Sequence, residues 1–431
     1  MSLFSNEKNK ISPPYFPNHS FLITLTVLSL GYLIDFFDLT IFAVARADIL
    51  KSFNVPQSEL MHVSSLMFNS QALGIMVGGL VSGIWADKIG RLSAVRMGIF
   101  IYSLSILLSV YTTNMPFFIF LRFIAGVGLA GELAASVTLI SEMSLPKYRE
   151  VSSATIYFFG VIGGILATYI GSYFTWQQLF ITGSVAGFVL LIFRMSIADS
   201  IMFKNMKETT TQRGSLSLLF FNNSKSFFKL ISLIFLLVPF WFMVFFVNFA
   251  PEVGKEMGVS FVVQQGKALA FFFIGSLVGT YVLSFIAKFY KSRKKAIFLS
   301  LFAMICAVSL FSLGSYMSSF IFYFTILLLG FACGYPSVYM TLAAESYGTN
   351  QRATATSFVS CTGRGSLVLI NAIVPFAISF TGSTFIGSII VSCVIFFISI
   401  FILLLTPLGF GRSGLIHGEA LLRRSEEHTS E

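Results

Sequence analysis

Gly83-Ile84-Trp85-Ala86-Asp87-Lys88-Ile89-Gly90-Arg91 is a charged turn set between two apolar stretches, 61–85 and 93–111, each long enough to cross a bilayer as a helix. Lipid offers no partner to a bare backbone amide, so chain of this kind crosses it only as closed helix. The turn therefore reads as the short connection of a multi-spanning membrane protein.

Composition agrees along the whole chain. Of its 431 residues 56% are hydrophobic and 11% charged, and the mean hydropathy is +0.85, whereas charged residues make up about a quarter of a soluble domain. Charge-poor stretches of about 18 residues or more occur twelve times: 21–47, 61–85, 93–111, 115–141, 151–174, 176–197, 228–252, 268–290, 296–314, 319–345, 352–381 and 383–406. The expected fold is all-α, with twelve transmembrane helices.

Basic residues set the expected orientation. With both termini in the cytoplasm, only Lys51, Lys255 and Lys267 of the 28 Lys and Arg fall in outer loops. Arg46, Arg122 and Arg364 fall within helices, and the remainder lie on the cytoplasmic side. This is the positive-inside pattern. It accounts for the net charge of +10, and no nucleic-acid partner is expected. Cys306, Cys333, Cys361 and Cys393 lie in helices without metal-ligand spacing and read as small packing residues. His19, His62, His417 and His428 lie outside the membrane or at its edge, and no nucleophile with a nearby base is evident. Neither a cofactor, nor a metal site, nor an enzyme is expected.

The chain divides as a cytoplasmic segment 1–20, a six-helix bundle 21–197, a cytoplasmic linker 198–227, a second bundle 228–408 and a cytoplasmic tail 409–431. The apolar run after residue 20 is too long for a cleaved signal peptide. Residues 424–431 read as the translation of a sequencing adapter. The halves repeat each other. Glu142 and Arg149 follow the fourth helix seven residues apart, and Glu345 and Arg352 follow the tenth with the same spacing, an offset of 203 that also sets Gly131 on Gly334. An offset of 201 sets Gly74-Ile-Met-Val-Gly78 on Gly275-Ser-Leu-Val-Gly279.

Over about residues 20–408 the chain resembles the major facilitator superfamily. The turn Gly83-x-x-x-Asp87-x-x-Gly90-Arg91 is similar to that family's most specific signature, and Arg122-x-x-x-Gly126-x-Gly128 to a second. The resemblance implies two pseudo-symmetric six-helix bundles that rock to expose a central site to each side in turn. It also implies a cytoplasmic latch of Asp87 and Arg91 with Glu142 and Arg149, to which Gly83, Gly90, Glu345 and Arg352 belong by motif or repeat. A solvated loop with topogenic charges is the alternative.

Charges at bilayer depth cost about 2.5–3.5 kcal/mol each on insertion scales and need a reason. Asp35 and Asp38 share a face of the first helix, Arg122 and Glu132 lie in the fourth, and Arg364 in the eleventh. At about 1.5 Å per residue, Asp38 lies about 25 Å and Arg122 about 28 Å from the cytoplasmic helix ends, level enough to pair; Asp35 lies about 21 Å in and Glu132 about 14 Å. In this superfamily the first and fourth helices line the cavity. Asp35, Asp38, Arg122 and Glu132 are therefore expected to couple protons, with Glu132 and Asp35 as the carriers. A structural network in which Arg122 neutralises the aspartates is the other reading.

Asp35-Phe-Phe-Asp38 and Gly363-Arg364-Gly365 resemble segments of aromatic-acid proton symporters, and Gly131-Glu132-Leu133 the fourth helix of nicotinate-type and metabolite symporters. That implies an organic anion gripped by Arg364, whose planar guanidinium suits a carboxylate; pairing of Arg364 with Glu132 or a helix terminus stays open. Trp241, Asn248, Tyr335 and Tyr339 combine a flat or apolar body with a polar handle on helices that line the cavity by resemblance, and are the further substrate candidates. Most of the 51 Phe read as lipid-facing filler. Trp176-Gln177-Gln178 and Gln71-Ala72 depart from relatives' Trp-Arg and Arg-Pro, and the fifth helix lacks the Gly-Pro motif of drug antiporters.

The expectation is a monomeric, multi-pass inner-membrane symporter that imports a small organic solute, a carboxylate, with protons. Partners are the solute, protons and the lipid bilayer. Alternatives are an exporter, a symporter of a sugar-like or phosphate solute, and a non-transporting membrane sensor.

Overall fold

A computed structural model describes residues 19–56, 59–130, 132, 136, 139–140, 149–171, 173–195, 224–347, 352–382 and 384–405. Each expected span is found as helix: α1 (His19–Ser52), α2 (Leu60–Lys88), α3 (Arg91–Val110), α4 (Met115–Leu129), α5 (Arg149–Ile170), α6 (Trp176–Arg194), α7 (Ser224–Asn248), α8 (Ala250–Glu256), α9 (Gln265–Phe289), α10 (Arg293–Leu310), α11 (Ser319–Ala332), α12 (Pro336–Glu345), α13 (Arg352–Thr381) and α14 (Thr384–Leu405). Among the described residues ten segments are long and apolar enough to cross a membrane, and Met115–Leu129 is a shorter apolar helix. There are no strands among the described residues.

Two expected helices are broken. The seventh divides at Phe249, whose φ of −110° and ψ of 22° leave the helical region before Pro at the second position of α8. The tenth divides after Ala332, because Pro336 has no amide proton and its ring would press on the carbonyl four residues back. A capping box opens α6: Gln178 Oε1 accepts from the Thr175 amide at 3.1 Å while Thr175 Oγ1 accepts from the Gln178 amide at 3.4 Å.

The repeat is visible as packing. Gly74 and Gly78 of α2 lie against the backbone of Phe123 and Val127 on α4, and Gly126 returns the contact on the Gln71 carbonyl. Gly275 and Gly279 of α9 meet Leu327 and Phe331 on α11 in the same way, with Gly330 on the Phe272 carbonyl. A side chain at any of these positions would enter the neighbouring backbone, which is how small residues let membrane helices approach. The α4 to α11 register in these contacts is 204, one residue from the 203 read off the Glu-Arg pairs, and the break at Cys333–Tyr335 follows it.

Two long seams join the helices before residue 196 to those after 223. α13 runs antiparallel along α2, bonded from Thr354 Oγ1 to the Gly83 carbonyl (3.2 Å) through Ser357 Oγ to Gly79 (2.9 Å) to the Asn371–Asn69 amide pair. α5 runs along α9, where Gly164 abuts Phe273 and Phe158 meets Tyr281 at 5.2 Å between ring centroids. Between the seams the helices enclose the site.

Candidate functional site

α1, α2, α5, α7, α9 and α13 line a cavity whose empty space, open solvent included, is about 870 Å³. Its walls are mostly apolar, with Phe36, Phe68, Phe240, Phe272 and Phe273 among them. Thr40, Gln71, Tyr157, Trp241, Asn248, Ser276 and Arg364 supply the polar groups. The Arg364 guanidinium carbon lies 4.6 Å above the Trp241 ring, and Arg364 makes no hydrogen bond or ion pair among the described residues. The Trp241 indole N–H is also buried without a partner. A cation and a donor thus stand side by side in a mostly apolar chamber, neither with a hydrogen-bond partner among the described residues.

A smaller cavity, with about 310 Å³ of empty space, adjoins it through Leu39 and Arg364 and is lined by Tyr32, Asp35, Leu129, Ala130, Ser360 and Cys361. Asp35 is 3% exposed, and its Oδ1 has no hydrogen-bond partner. Cys361 Sγ donates to the Ala130 carbonyl at 2.9 Å, closing this chamber between the halves.

The other buried charges lie behind the walls. Glu132 is held by Arg194: Nη1 donates to Oε2 at 2.7 Å and Nη2 to Oε1. Arg194 belongs with the buried charges, not with the cytoplasmic basic residues to which its position at the end of the sixth helix assigned it, since it is fully buried. Side chains lean toward the N-terminus of their helix, so a long one at the last turn reaches back into the bundle. Arg96 takes up the Arg194 carbonyl with two hydrogen bonds, at 3.0 and 3.2 Å, satisfying a terminal acceptor. Gly31 makes the pair possible, because a Cβ there would overlap both the guanidinium and the Glu132 carboxylate. Arg364 is consequently not the partner of Glu132.

Arg122 is boxed by the rings of Phe42, Phe118 and Phe180, 4.9–5.4 Å from their centroids, and donates to Ser109 Oγ at 2.9 Å. Asp38 faces Gly183 of α6 and its Oδ2 has no hydrogen-bond partner, so Arg122 acts on it across space and not through a direct pair. Neither Glu132, Arg122 nor Asp38 lines the large cavity. The fourth-helix charges were expected to face the solute; here the α4 residues that reach a cavity are Leu129 and, at its C-cap, Ala130, which line the smaller one.

Among the substrate candidates, Trp241, Asn248 and Arg364 line the cavity and the two tyrosines do not. Tyr335 and Tyr339 are fully buried and donate to the Leu236 and Leu233 carbonyls at 2.7 and 2.6 Å, fastening α12 to α7. Of the latch set, Gly83 accepts from Thr354, and Gly90 has a φ of 143°, a conformation that favours glycine, at the start of α3. Glu142 lies outside the described residues, as do the side chains of Asp87, Arg91, Arg149, Glu345 and Arg352. Arg194 and Tyr157 were not among the sequence's site candidates, and Gln71 stood out only as a departure from relatives; a lone arginine closing an apolar helix was the available signal for the first.

The profile of the Major Facilitator Superfamily matches residues 28–372. The 3-(3-hydroxy-phenyl)propionate transporter of Escherichia coli (strain K12) is 25% identical over 360 residues, 80% of this chain and 83% of that protein. The niacin transporter NiaP of Acinetobacter baylyi is 26% identical over 183 residues, 42% of this chain and 41% of that protein, so this alignment spans under half of that relative. In structure, the proton:xylose symporter XylE superposes with a TM-score of 0.71 at 14% identity, covering 91% of this chain and 97% of the other. The chain is a multi-pass membrane protein of a family of transporters, not enzymes, and it belongs to the major facilitator superfamily.

Proposed function

We propose that this transporter is a proton-coupled symporter that brings a small organic carboxylate into the cell across the inner membrane, as a monomer with both termini in the cytoplasm. The observation that carries the reading is Arg364, a permanently charged, planar donor with no hydrogen bond or ion pair among the described residues, facing an apolar cavity between the two halves. An unpaired cation in low dielectric favours an anionic occupant. Trp241 and Asn248 contribute the neighbouring donors, and the Phe walls take the apolar body of the solute. The relatives' names, for a phenylpropionate and for niacin, are consistent with such a solute.

Asp35, Asp38 and Glu132, with Arg122 beside them, are the groups from which the proton site is drawn. The 21–197 and 228–408 halves are taken to move as bodies, with the Asp87 turn, Arg91, Glu142, Arg149 and their repeats Glu345 and Arg352 as the cytoplasmic latch.

Proteoliposome uptake tests the reading, with 3-(3-hydroxyphenyl)propionate and nicotinate as first solutes in a wider screen of organic acids, sugars and phosphate. An acid-outside gradient should drive accumulation of a carboxylate. Accumulation driven only by an alkaline-outside gradient would mean antiport and export, and accumulation of sugar or phosphate alone would remove the carboxylate.

A further inference from the structure

The large cavity has two polar levels. At one, the Arg364 guanidinium stacks on the Trp241 ring. The other lies beneath a layer of three aromatic rings from different helices: Phe68 of α2 meets Phe42 of α1 at 5.0 Å and Phe249, at the end of α7, at 6.3 Å between ring centroids. On the Arg364 side of that layer the walls present Thr40, two residues along α1 from Phe42, Gln71, three along α2 from Phe68, and Asn248, next to Phe249. None of these three side chains makes a hydrogen bond among the described residues.

Two independent registers measure the distance between the levels. Along α7, Asn248 lies seven residues beyond Trp241, about 10 Å at roughly 1.5 Å per residue. That spacing is close to two helical turns, so both side chains line the same chamber. Across the α2–α13 seam, the Asn371–Asn69 amide pair and the contact of Gly365 on Met76 set Arg364 opposite residues 76–77, five or six residues from Gln71, or about 8–9 Å. Between the levels the walls are apolar, with Val244 on α7 and with Phe36 and Phe273 at 6.2 Å from each other.

Charge is confined to one level. Of the described residues that line the cavity, Arg364 alone carries a permanent charge. Arg46, beyond the aromatic layer, is already held by Glu252 at 2.8 Å and lies over the Phe249 ring. A second carboxylate at the Asn248 level would therefore be buried without a counter-charge. A bare hydrocarbon end would leave two amides and a hydroxyl without partners. Amides and hydroxyls both donate and accept, so the group that matches them is one that does the same without charge.

We propose that Thr40, Gln71 and Asn248 form a second subsite in the large cavity, for an uncharged hydroxyl at the far end of a monocarboxylate held by Arg364. This rests on the carboxylate-symport reading and deepens it: the solute class is a hydroxylated monocarboxylate with an extended apolar body, and dicarboxylates of the same shape are excluded. Gln71 and Asn248 are the specificity-determining residues, and the ring layer of Phe36 and Phe273 takes the body between the two ends.

Calorimetric binding to the full chain in nanodiscs tests the subsite with three probes, 3-phenylpropionate, 3-(4-hydroxyphenyl)propionate and 3-(4-carboxyphenyl)propionate. The parent should bind the hydroxylated acid at least roughly fivefold more tightly than the unsubstituted one, the worth of one net hydrogen bond, and the dicarboxylate more weakly than either. Gln71→Leu and Asn248→Leu should each bring the first two acids to within about twofold of each other, because that hydrogen bond is gone. Gln71→Lys, which adds a cation at the second level, should raise the affinity for the dicarboxylate at least roughly tenfold over the parent's, through a charge-assisted bond.

Retention of the hydroxyl preference in either folded leucine variant overturns the subsite; should one of them not fold, the other decides. Equal affinity of the parent for the dicarboxylate and the hydroxylated acid overturns the selection of a single charge. If none of the three probes binds while another monocarboxylate accumulates on an acid-outside gradient, the two-level solute is wrong and symport stands. If no carboxylate binds or accumulates, the symport reading itself falls.

Discussion

Arg194 shows how far a single position can depart from its address in the chain. A basic residue closing an apolar helix ordinarily marks the cytoplasmic boundary. Here a Gly at 31 and an Arg at 96 let the side chain turn back and neutralise Glu132. Removing one partner of a buried pair leaves the other as an uncompensated charge, at a cost of about 3–5 kcal/mol, whereas removing both charges together is close to neutral. Arg194→Gln should accordingly lower the thermal midpoint sharply, and Glu132→Gln/Arg194→Gln should recover most of the loss. Equal destabilisation by the single and double variants would mean that the pair is not closed in the membrane. Asp35, Asp38, Arg122, Glu132 and Arg364 could be read from the sequence because a charge in an apolar helix stands out. Their partners could not, because pairing depends on helix rotation, and helices apolar on all faces give no amphipathic stripe from which to read it. The same ambiguity concealed the cavity phenylalanines among the lipid-facing ones.

Helices were legible to within a few residues, since span length is fixed by bilayer thickness. What escaped was their continuity. Pro336 was visible and forecasts the α11/α12 break, yet a proline inside an apolar run can also sit in an unbroken helix, as Pro239 does in α7. The glycine repeat was legible as pattern, and its structural meaning is the close approach of α2 to α4 and of α9 to α11. Gly126→Val and Gly330→Val should each force these pairs apart, because the first would drive a side chain into the Gln71 carbonyl and the second into that of Phe272. Each should cost at least about 1–3 kcal/mol, as overpacking does, read as reduced folded yield and thermal midpoint. Gly266, which has open space around it, should accept alanine with little change. Tolerance of valine at both buried positions would show that the pairs are looser than described.

At the scale of the whole molecule, the halves touch on both sides of the cavity. At one end Thr354 and Ser357 bond to the C-terminal part of α2. At the other, Arg46 pairs with Glu252 at 2.8 Å and stacks on Phe249, and Gln265 donates to the Ala43 carbonyl at 2.9 Å. A solute in the chamber would lie between these closures, so alternating access requires one set to open while the other holds. Recognition of the solute's charge then falls to Arg364, the guanidinium that lines the large cavity and has no hydrogen bond or ion pair among the described residues. The most direct measurement is calorimetric binding of the transported acid and of its primary amide to the parent protein and to Arg364→Ala and Arg364→Lys. The parent should prefer the acid, Arg364→Ala should lose that preference while keeping the residual amide affinity, and Arg364→Lys should bind the acid substantially more weakly because a point charge replaces a two-point donor. Equal losses of acid and amide in Arg364→Ala, with the protein still folded, would contradict the account and make Arg364 a structural residue of α13.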